Sequence, residues 1–170
     1  MKTDSKLFKL TSAGLMAALI FVITFAVRIP MPGGYVNIGD VPVYMGAYLL
    51  GGPAGAVAAA VGSALADLIG FPAYTIPTLI IKGLMGLVCG LIMKNKGFVA
   101  FILAAVLGGL IMVAGYAVFE ILFFNINMAI ADLGGNSIQW VVGVIVAAAF
   151  YPGIRKVALI LKLRNGESLH

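Results

Sequence analysis

The stretch FVAFILAAVLGGLIMVAGYAVFEILFF, residues 98–124, decides the fold class of this chain. It is apolar throughout except for Glu120, which lies near its carboxyl end. A helix needs about 20 mainly apolar residues to cross a bilayer, and the backbone must satisfy its own hydrogen bonds there. The stretch therefore predicts a membrane-spanning helix with one carboxylate close to a membrane surface.

The composition of the whole chain leads to the same conclusion. Of 170 residues, 62% are hydrophobic and 10% are Asp, Glu, Lys or Arg, whereas about 25% are charged in an average soluble domain. The mean hydropathy is +1.13. A soluble globular protein of this composition would have too few charged side chains to cover its surface. A disordered chain is also excluded, because disorder requires low hydrophobicity and high charge.

Further apolar stretches predict five more helices, at about 10–29, 41–50, 53–70, 77–93 and 137–162. Gly51-Gly52-Pro53 separates the second from the third, and residues 125–136 are predicted to be a polar loop. The first stretch follows a basic start that resembles a secretory signal, but no small-residue cleavage site follows, so we interpret it as a retained helix. We predict an all-α integral membrane protein: one domain, 1–170, folded as a six-transmembrane-helix bundle with a short second helix.

The distribution of positive charge predicts the orientation. With a cytoplasmic N-terminus, nine of the eleven basic residues fall on the cytoplasmic side, as the positive-inside rule requires: Lys2, Lys6, Lys9, Lys94, Lys96, Arg155, Lys156, Lys162 and Arg164. Both termini are then cytoplasmic. Topology and anionic membrane lipid account for the net charge of +5, so no nucleic-acid partner is predicted.

Five ionisable residues lie in the outer third of the predicted bundle: Arg28, Asp40, Asp67, Lys82 and Glu120. Charged groups at membrane depth are costly and by default mark a functional site. Aromatic and amide side chains join them there, which is typical of a pocket for a small, flat, polar ring. The candidate substrate-binding residues are Tyr35, Asn37, Asp40, Tyr44, Asp67, Tyr74, Lys82, Tyr116, Glu120, Asn136 and Trp140.

Some of these residues have a purely structural interpretation. Asp67 and Lys82 either form a buried ion pair that joins the third helix to the fourth or contact the ligand. Tyr35, Tyr74 and Trp140 either stack on the ligand or lie in the interfacial aromatic belt. For Glu120 we favour a role in the pocket, because a charged group inside a helix requires a partner.

The same inventory argues against several classes of protein. The single cysteine, Cys89, and the single histidine, His170, offer neither a metal cluster nor a Ser–His pair, and no phosphate-binding G-x-x-x-x-G-K-[ST] loop occurs. We predict no enzyme activity, no cofactor and no metal. A channel is not favoured, because it needs a continuous polar lining and the polar residues of this chain are confined to the outer third of the predicted bundle. A secondary transporter is not favoured, because the sequence shows no internal repeats. A capture protein with an outer site remains.

Four segments resemble a known family. GYVNIGD (34–40), LLGGPAG (49–55), GSALAD (62–67) and PTLIIKGLMG (77–86) are similar to the substrate-binding S components of energy-coupling factor (ECF) vitamin transporters. Chain length and helix number also fit. Ala13-x-x-x-Ala17 in the first helix resembles the small-residue motif through which S components dock on their coupling subunit, and Gly14-x-x-x-Ala18 lies beside it.

The resemblance implies a mechanism and partners. An S component binds a vitamin or precursor from outside, associates with a transmembrane coupling (T) subunit and two cytoplasmic ATPase subunits, and topples in the membrane to release its cargo inward, with the first loop as a lid. It implies a multi-pass protein of a bacterial cell membrane. The 34–86 segments look most like S components for hydroxymethylpyrimidine or pyridoxine-like vitamers. Riboflavin and cobalamin stay open as alternatives, as does a non-transporting membrane scaffold.

Overall fold

The computed structural model describes residues 2–31, 35–93 and 97–164 of the chain, and the side chains of 7–31, 35–93 and 97–161. Six α-helices occupy almost all of the described residues. They are α1 (Lys2–Ala26), α2 (Asp40–Leu50), α3 (Gly52–Gly70), α4 (Thr75–Met93), α5 (Phe98–Phe123) and α6 (Ile126–Arg164). A 3₁₀ turn, Pro72–Tyr74, joins α3 to α4. The predicted all-α class is confirmed.

Five of the six helices are long and apolar enough to cross a membrane. The exception is α2, whose 11 residues extend about 16 Å at 1.5 Å per residue, roughly half of the hydrocarbon thickness. The prediction of a bundle of six helices with a short second helix is confirmed. Gly51 has φ 81°, a conformation that glycine adopts without strain, and it allows α3 to begin directly after α2 ends.

The sixth helix begins at Ile126, about three turns before the predicted start near residue 137. The polar residues that resembled a loop lie on one helical face: Asp132, Asn136 and Gln139 follow one another at intervals of four and three residues, and all three are buried. Polar side chains that point into the bundle, rather than a break in the helix, explain the pattern. The Oδ1 of Asn125 accepts a hydrogen bond from the backbone N–H of Met128 (3.0 Å) and caps the first turn.

A short antiparallel hairpin interrupts the helices between α1 and α2. Strands β1 (Arg28–Pro30) and β2 (Tyr35–Asn37) pair with Arg28 opposite Asn37 and Pro30 opposite Tyr35. No strand was predicted from the sequence. The hairpin lies at the end of the bundle to which the carboxyl ends of α1, α3 and α5 also point, and this end contains the polar residues discussed below.

Close packing between α3 and α4 holds the centre of the bundle together. A Cβ atom at Gly86 would lie 2.9 Å from the Cβ of Ala59 and 2.9 Å from the carbonyl oxygen of Gly55, so only glycine fits. Close approach through small residues is the usual means of helix association in lipid. α3 also packs on α1, and α5 packs between α4 and α6.

Candidate substrate-binding site

An open cavity lies beneath the hairpin. Side chains from α1, α3, α4, α5 and α6 form its wall together with the hairpin and the 3₁₀ turn. Its lining residues are Thr24, Met31, Tyr35, Asn37, Ser63, Asp67, Phe71, Tyr74, Thr78, Lys82, Tyr116, Glu120, Asp132, Asn136 and Gln139. Among them are eight of the candidate substrate-binding residues: Tyr35, Asn37, Asp67, Tyr74, Lys82, Tyr116, Glu120 and Asn136.

A buried ion pair forms the floor of the cavity. The Nζ of Lys82 in α4 donates to Oδ1 of Asp40 at the start of α2, and both side chains are almost fully buried. The amide Nε2 of Gln139 donates to the other oxygen of Asp40 (3.0 Å). The floor therefore joins α2, α4 and α6 and leaves the Asp40 carboxylate fully bonded, as a buried charge requires.

Of the two interpretations of Asp67 and Lys82, an ion pair between them or contact with the ligand, the structure contradicts the ion pair, because Lys82 pairs with Asp40. Asp67 instead accepts a hydrogen bond from the phenol of Tyr35, so it joins α3 to the hairpin. The physical reason lies in the helix positions: Asp40 opens the short α2, is fully buried, and lies within reach of the Lys82 ammonium.

Polar contacts hold the hairpin over the cavity. One is the hydrogen bond from Tyr35 to Asp67, and another runs from the backbone N–H of Asn37 to Oε1 of Gln139 (2.8 Å). The guanidinium of Arg28 lies 4.6 Å from the centre of the Tyr35 ring and donates to the carbonyl oxygen of Ala66 (2.7 Å). Burial raises the pKa of the Tyr35 phenol above its usual value, and the Asp67 carboxylate raises it further, so the phenol remains a hydrogen-bond donor.

The far end of the cavity is acidic. Glu120 in α5 is 1% exposed, and its Oε1 accepts a hydrogen bond from the phenol of Tyr74 (3.2 Å). Its second oxygen, Oε2, is buried without a hydrogen-bond partner among the described residues. Asp132 in α6 is near enough to interact with Glu120 electrostatically. Two neighbouring carboxyl groups and a free acceptor atom favour a ligand that brings N–H donors.

Aromatic side chains surround this acidic end. The Tyr74 ring stacks on Phe124 at 6.0 Å and contacts Phe71 edge-on at 6.5 Å. The phenol of Tyr116 hydrogen-bonds to the hydroxyl of Thr78 (2.8 Å). A flat ring that enters the cavity would therefore meet aromatic faces and edges on its sides and a carboxylate at one edge.

Three candidate residues do not line the cavity. Asp40 lies below the cavity and bonds to two residues of its wall, Lys82 and Gln139. Tyr44 is fully buried among core side chains, 3.3 Å from the position of a Cβ at Gly108. Trp140 packs over Gly109 in the interface between α5 and α6. None of the three lines the cavity, and their contact with a ligand stays a prediction.

The structure adds seven lining residues to those predicted: Thr24, Met31, Ser63, Phe71, Thr78, Asp132 and Gln139. Asp132 and Gln139 were recognisable, because they share the helical spacing of Asn136. The hydroxyl residues gave no signal, since threonine and serine are common in membrane helices. In the described parts of the chain, no group of three or more His, Cys, Asp and Glu residues is arranged to hold a metal ion.

The predicted docking residues divide between two faces of α1. Ala13 is 8% exposed, and Ala17 packs against α3, where its carbonyl oxygen faces Gly62. Gly14 and Ala18 are exposed, and a Cβ at Gly14 would meet no atom within 4 Å. The assignment of Ala13 to a docking surface is therefore corrected: its side chain packs within the chain, and the open small-residue face is Gly14 and Ala18.

Comparison with known proteins identifies the family. The family model described as "ECF-type riboflavin transporter, S component" matches residues 5–156. The chain belongs to the S components of ECF transporters. An S component is a transport subunit and not itself an enzyme, and the helices of this one imply a multi-pass membrane protein.

Relatives of this S component include two full-length matches. One is an uncharacterised protein of Pyrococcus woesei, 37% identical over 88% of this chain and 99% of its own length. Another is the thiamine precursor transporter HmpT of Lactococcus lactis subsp. cremoris (strain MG1363), 32% identical over 92% of this chain and 93% of its own length. The crystal structure of FolT bound with folic acid has the same fold, with a TM-score of 0.63, 18% identity, and coverage of 87% of this chain and 91% of FolT.

Proposed function

We propose that this S component binds hydroxymethylpyrimidine, a thiamine precursor, from outside the cell and delivers it inward as part of an ATP-driven ECF transporter. The observation that carries the proposal is the free Oε2 of Glu120, buried beside Asp132 in the aromatic part of the cavity. A buried acceptor without a partner costs free energy until a ligand donor reaches it.

The chemistry of hydroxymethylpyrimidine matches this arrangement. The compound carries an exocyclic amine beside a basic ring nitrogen, so one edge of the ring presents N–H donors to a carboxylate. Its flat ring suits the space between Tyr74, Phe71 and Tyr116. The similarity to HmpT along nearly the whole chain supports the same substrate class.

Riboflavin is the second candidate, because the matching family model is described as a riboflavin transporter component. Its isoalloxazine ring presents mainly carbonyl oxygens and ring nitrogens as acceptors. At the acidic end of the cavity, the carboxylate oxygens of Glu120 and Asp132 would face these ligand acceptors, and two acceptors cannot form a hydrogen bond with each other. Pyridoxine-like vitamers carry a basic ring nitrogen and are an intermediate case.

Two observations support the proposed transport cycle: among the described residues the cavity has no polar continuation through the bundle, and the chain belongs to the S components. Below the floor of Lys82, Asp40 and Gln139 the described core is apolar, so a bound ligand has no polar path through the bundle. We propose that the chain, a single domain with cytoplasmic termini in the cell membrane, topples when it docks on the T subunit, which is coupled to two ATPase subunits.

Ligand identification on the purified protein tests the proposal. We expect mass spectrometry of the detergent-solubilised chain to detect co-purified hydroxymethylpyrimidine. Isothermal titration calorimetry should then rank hydroxymethylpyrimidine first among hydroxymethylpyrimidine, pyridoxine, riboflavin and cobalamin. Tighter binding of riboflavin would contradict the proposed substrate, and binding of none of the four would favour a scaffold.

A further inference from the structure

A second residue of the cavity wall carries a buried polar atom that has no hydrogen-bond partner in the described parts of the chain. Thr24 lies near the carboxyl end of α1, is 4% exposed and lines the cavity. Its hydroxyl oxygen has no hydrogen-bond partner among the described residues. A buried hydroxyl without a hydrogen bond is unfavourable, so its position at the cavity wall requires an explanation.

The ordinary structural role of a helical threonine is not fulfilled at this site. Such a hydroxyl commonly bonds back to the carbonyl four residues earlier, and Thr11 in the same helix does so, with its Oγ1 2.9 Å from the carbonyl oxygen of Leu7. The Thr24 side chain is instead turned toward the hairpin and the start of α2, where Gly39 leaves it room: a Cβ at Gly39 would collide with the hydroxyl.

We infer that the Thr24 hydroxyl binds the ligand and that it contacts the hydroxymethyl group of the pyrimidine. The inference rests on the proposed function. Two residues of the cavity wall carry a buried polar atom without a hydrogen-bond partner among the described residues: Glu120 Oε2, beside Asp132, suits an N–H donor, whereas the Thr24 hydroxyl both donates and accepts and so suits another hydroxyl. The two atoms orient the ligand with its amine toward α5 and its hydroxymethyl group toward α1.

This orientation makes the ligand a bridge between two helices. α1 packs on α2 and α3, whereas α5 packs on α4 and α6. A ligand held by both Thr24 and Glu120 connects the two groups through the cavity. The helix that carries the exposed Gly14 and Ala18 is thereby in direct contact with the bound ligand.

Calorimetric titration with two ligands and three variants tests the inference. The ligands are hydroxymethylpyrimidine and its analogue with a methyl group in place of the hydroxymethyl group. The variant Thr24→Val removes the hydroxyl and keeps the shape, and Thr24→Ser keeps the hydroxyl. Thr75→Val is the matched control, because the Thr75 hydroxyl is also buried without a partner among the described residues but does not line the cavity.

We expect Thr24→Val to weaken binding of hydroxymethylpyrimidine about five- to tenfold, the usual effect of one lost hydrogen bond with its partner left unpaired. The methyl analogue should bind wild type about five- to tenfold more weakly and should lose nothing further in Thr24→Val. Thr24→Ser should bind hydroxymethylpyrimidine more tightly than Thr24→Val does, because it keeps the hydroxyl, and Thr75→Val should bind both ligands as wild type does.

Two results would overturn the inference, and only one of them would also contradict the proposed function. If wild type binds hydroxymethylpyrimidine and Thr24→Val binds it equally well, the Thr24 assignment is wrong and the proposed function stands. If wild type binds no pyrimidine, both are wrong. If Thr24→Val does not fold, Thr24→Ala takes its place. An equal loss of affinity for hydroxymethylpyrimidine and for the methyl analogue would then contradict the inference.

Discussion

The ion-pair partner of Lys82 is Asp40, and the two residues are 42 positions apart in the chain. Asp40 opens α2 directly after the hairpin, while Lys82 lies in the second turn of α4. The pair therefore fixes the short helix, which packs on both α4 and α6, beneath the cavity.

The first prediction concerns the stability of this pair. Asp40→Ala leaves the Lys82 ammonium buried without its partner and should destabilise the fold by about 3–5 kcal/mol. The double variant Asp40→Asn with Lys82→Met removes both charges and should recover most of the loss. The melting temperature in detergent measures both effects. Asp67→Asn is the control and should cost less, because it keeps an acceptor for Tyr35.

The second prediction concerns the acidic end of the cavity. Glu120→Gln removes the charge opposite the ligand amine and should weaken hydroxymethylpyrimidine binding at least tenfold, since a hydrogen bond to a charged group contributes about 1.5–3 kcal/mol. Calorimetric titration measures the change. The same pyrimidine with an oxo group in place of the amine serves as the control ligand and should not lose affinity in the variant. Unchanged affinity for both ligands would remove Glu120 from the site.

The third prediction concerns the pH dependence of the hairpin. Its sign follows from the pKa of Tyr35, which burial and Asp67 raise. Above about pH 10 the unfolded tyrosine ionises while the folded one keeps its proton, so the contribution of Tyr35 to stability is complete below that pH and is lost as the pH rises further.

The variant Tyr35→Phe isolates this contribution. At neutral pH it should be about 1 kcal/mol less stable than wild type, because it lacks the hydrogen bond to Asp67. The difference should narrow between about pH 10 and 11. Melting temperatures at a series of pH values measure it, and a difference that stays constant across the series would show that Tyr35 does not titrate with folding.

Sequence patterns located the cavity better than they located its individual contacts. Ionisable residues in a lipid-embedded chain must face the interior, so Glu120, Asp67 and Lys82 marked the polar end of the bundle. Their pairing depends on how far each helix turns and tilts, which local patterns do not specify. Asp40 was therefore assigned to the ligand although it bonds to Lys82.

Helix boundaries were least predictable where polar side chains face inward. The first three turns of α6 resemble a loop by composition, but Asp132, Asn136 and Gln139 form one buried face. The hydroxyl of Thr24 was not predicted at all, because its lack of a bonding partner is a property of the folded environment.

The fourth prediction separates ligand capture from transport and concerns the exposed small residues of α1. Tryptophan at Gly14 or Ala18 should leave the isolated chain folded, because both positions are open. It should also hold a docked helix away, since helices associate in lipid by close approach of small residues. Gly14 lies ten residues from Thr24, about 15 Å along the helix, so the cavity should be undisturbed.

Two assays on the same variants measure this separation. The affinity of isolated Gly14→Trp and Ala18→Trp for hydroxymethylpyrimidine should stay within about twofold of wild type. ATP-driven uptake into proteoliposomes that contain the T subunit and both ATPases should fall at least tenfold, because the loss of about 1.4 kcal/mol of docking free energy already corresponds to a factor of ten. Leu15→Trp is the matched control: Leu15 is 73% exposed and already bulky, so uptake should persist. Ala13→Trp should instead lower the melting temperature, because Ala13 is packed inside the chain. Full uptake by the double variant Gly14→Trp with Ala18→Trp would exclude this face of α1 from docking.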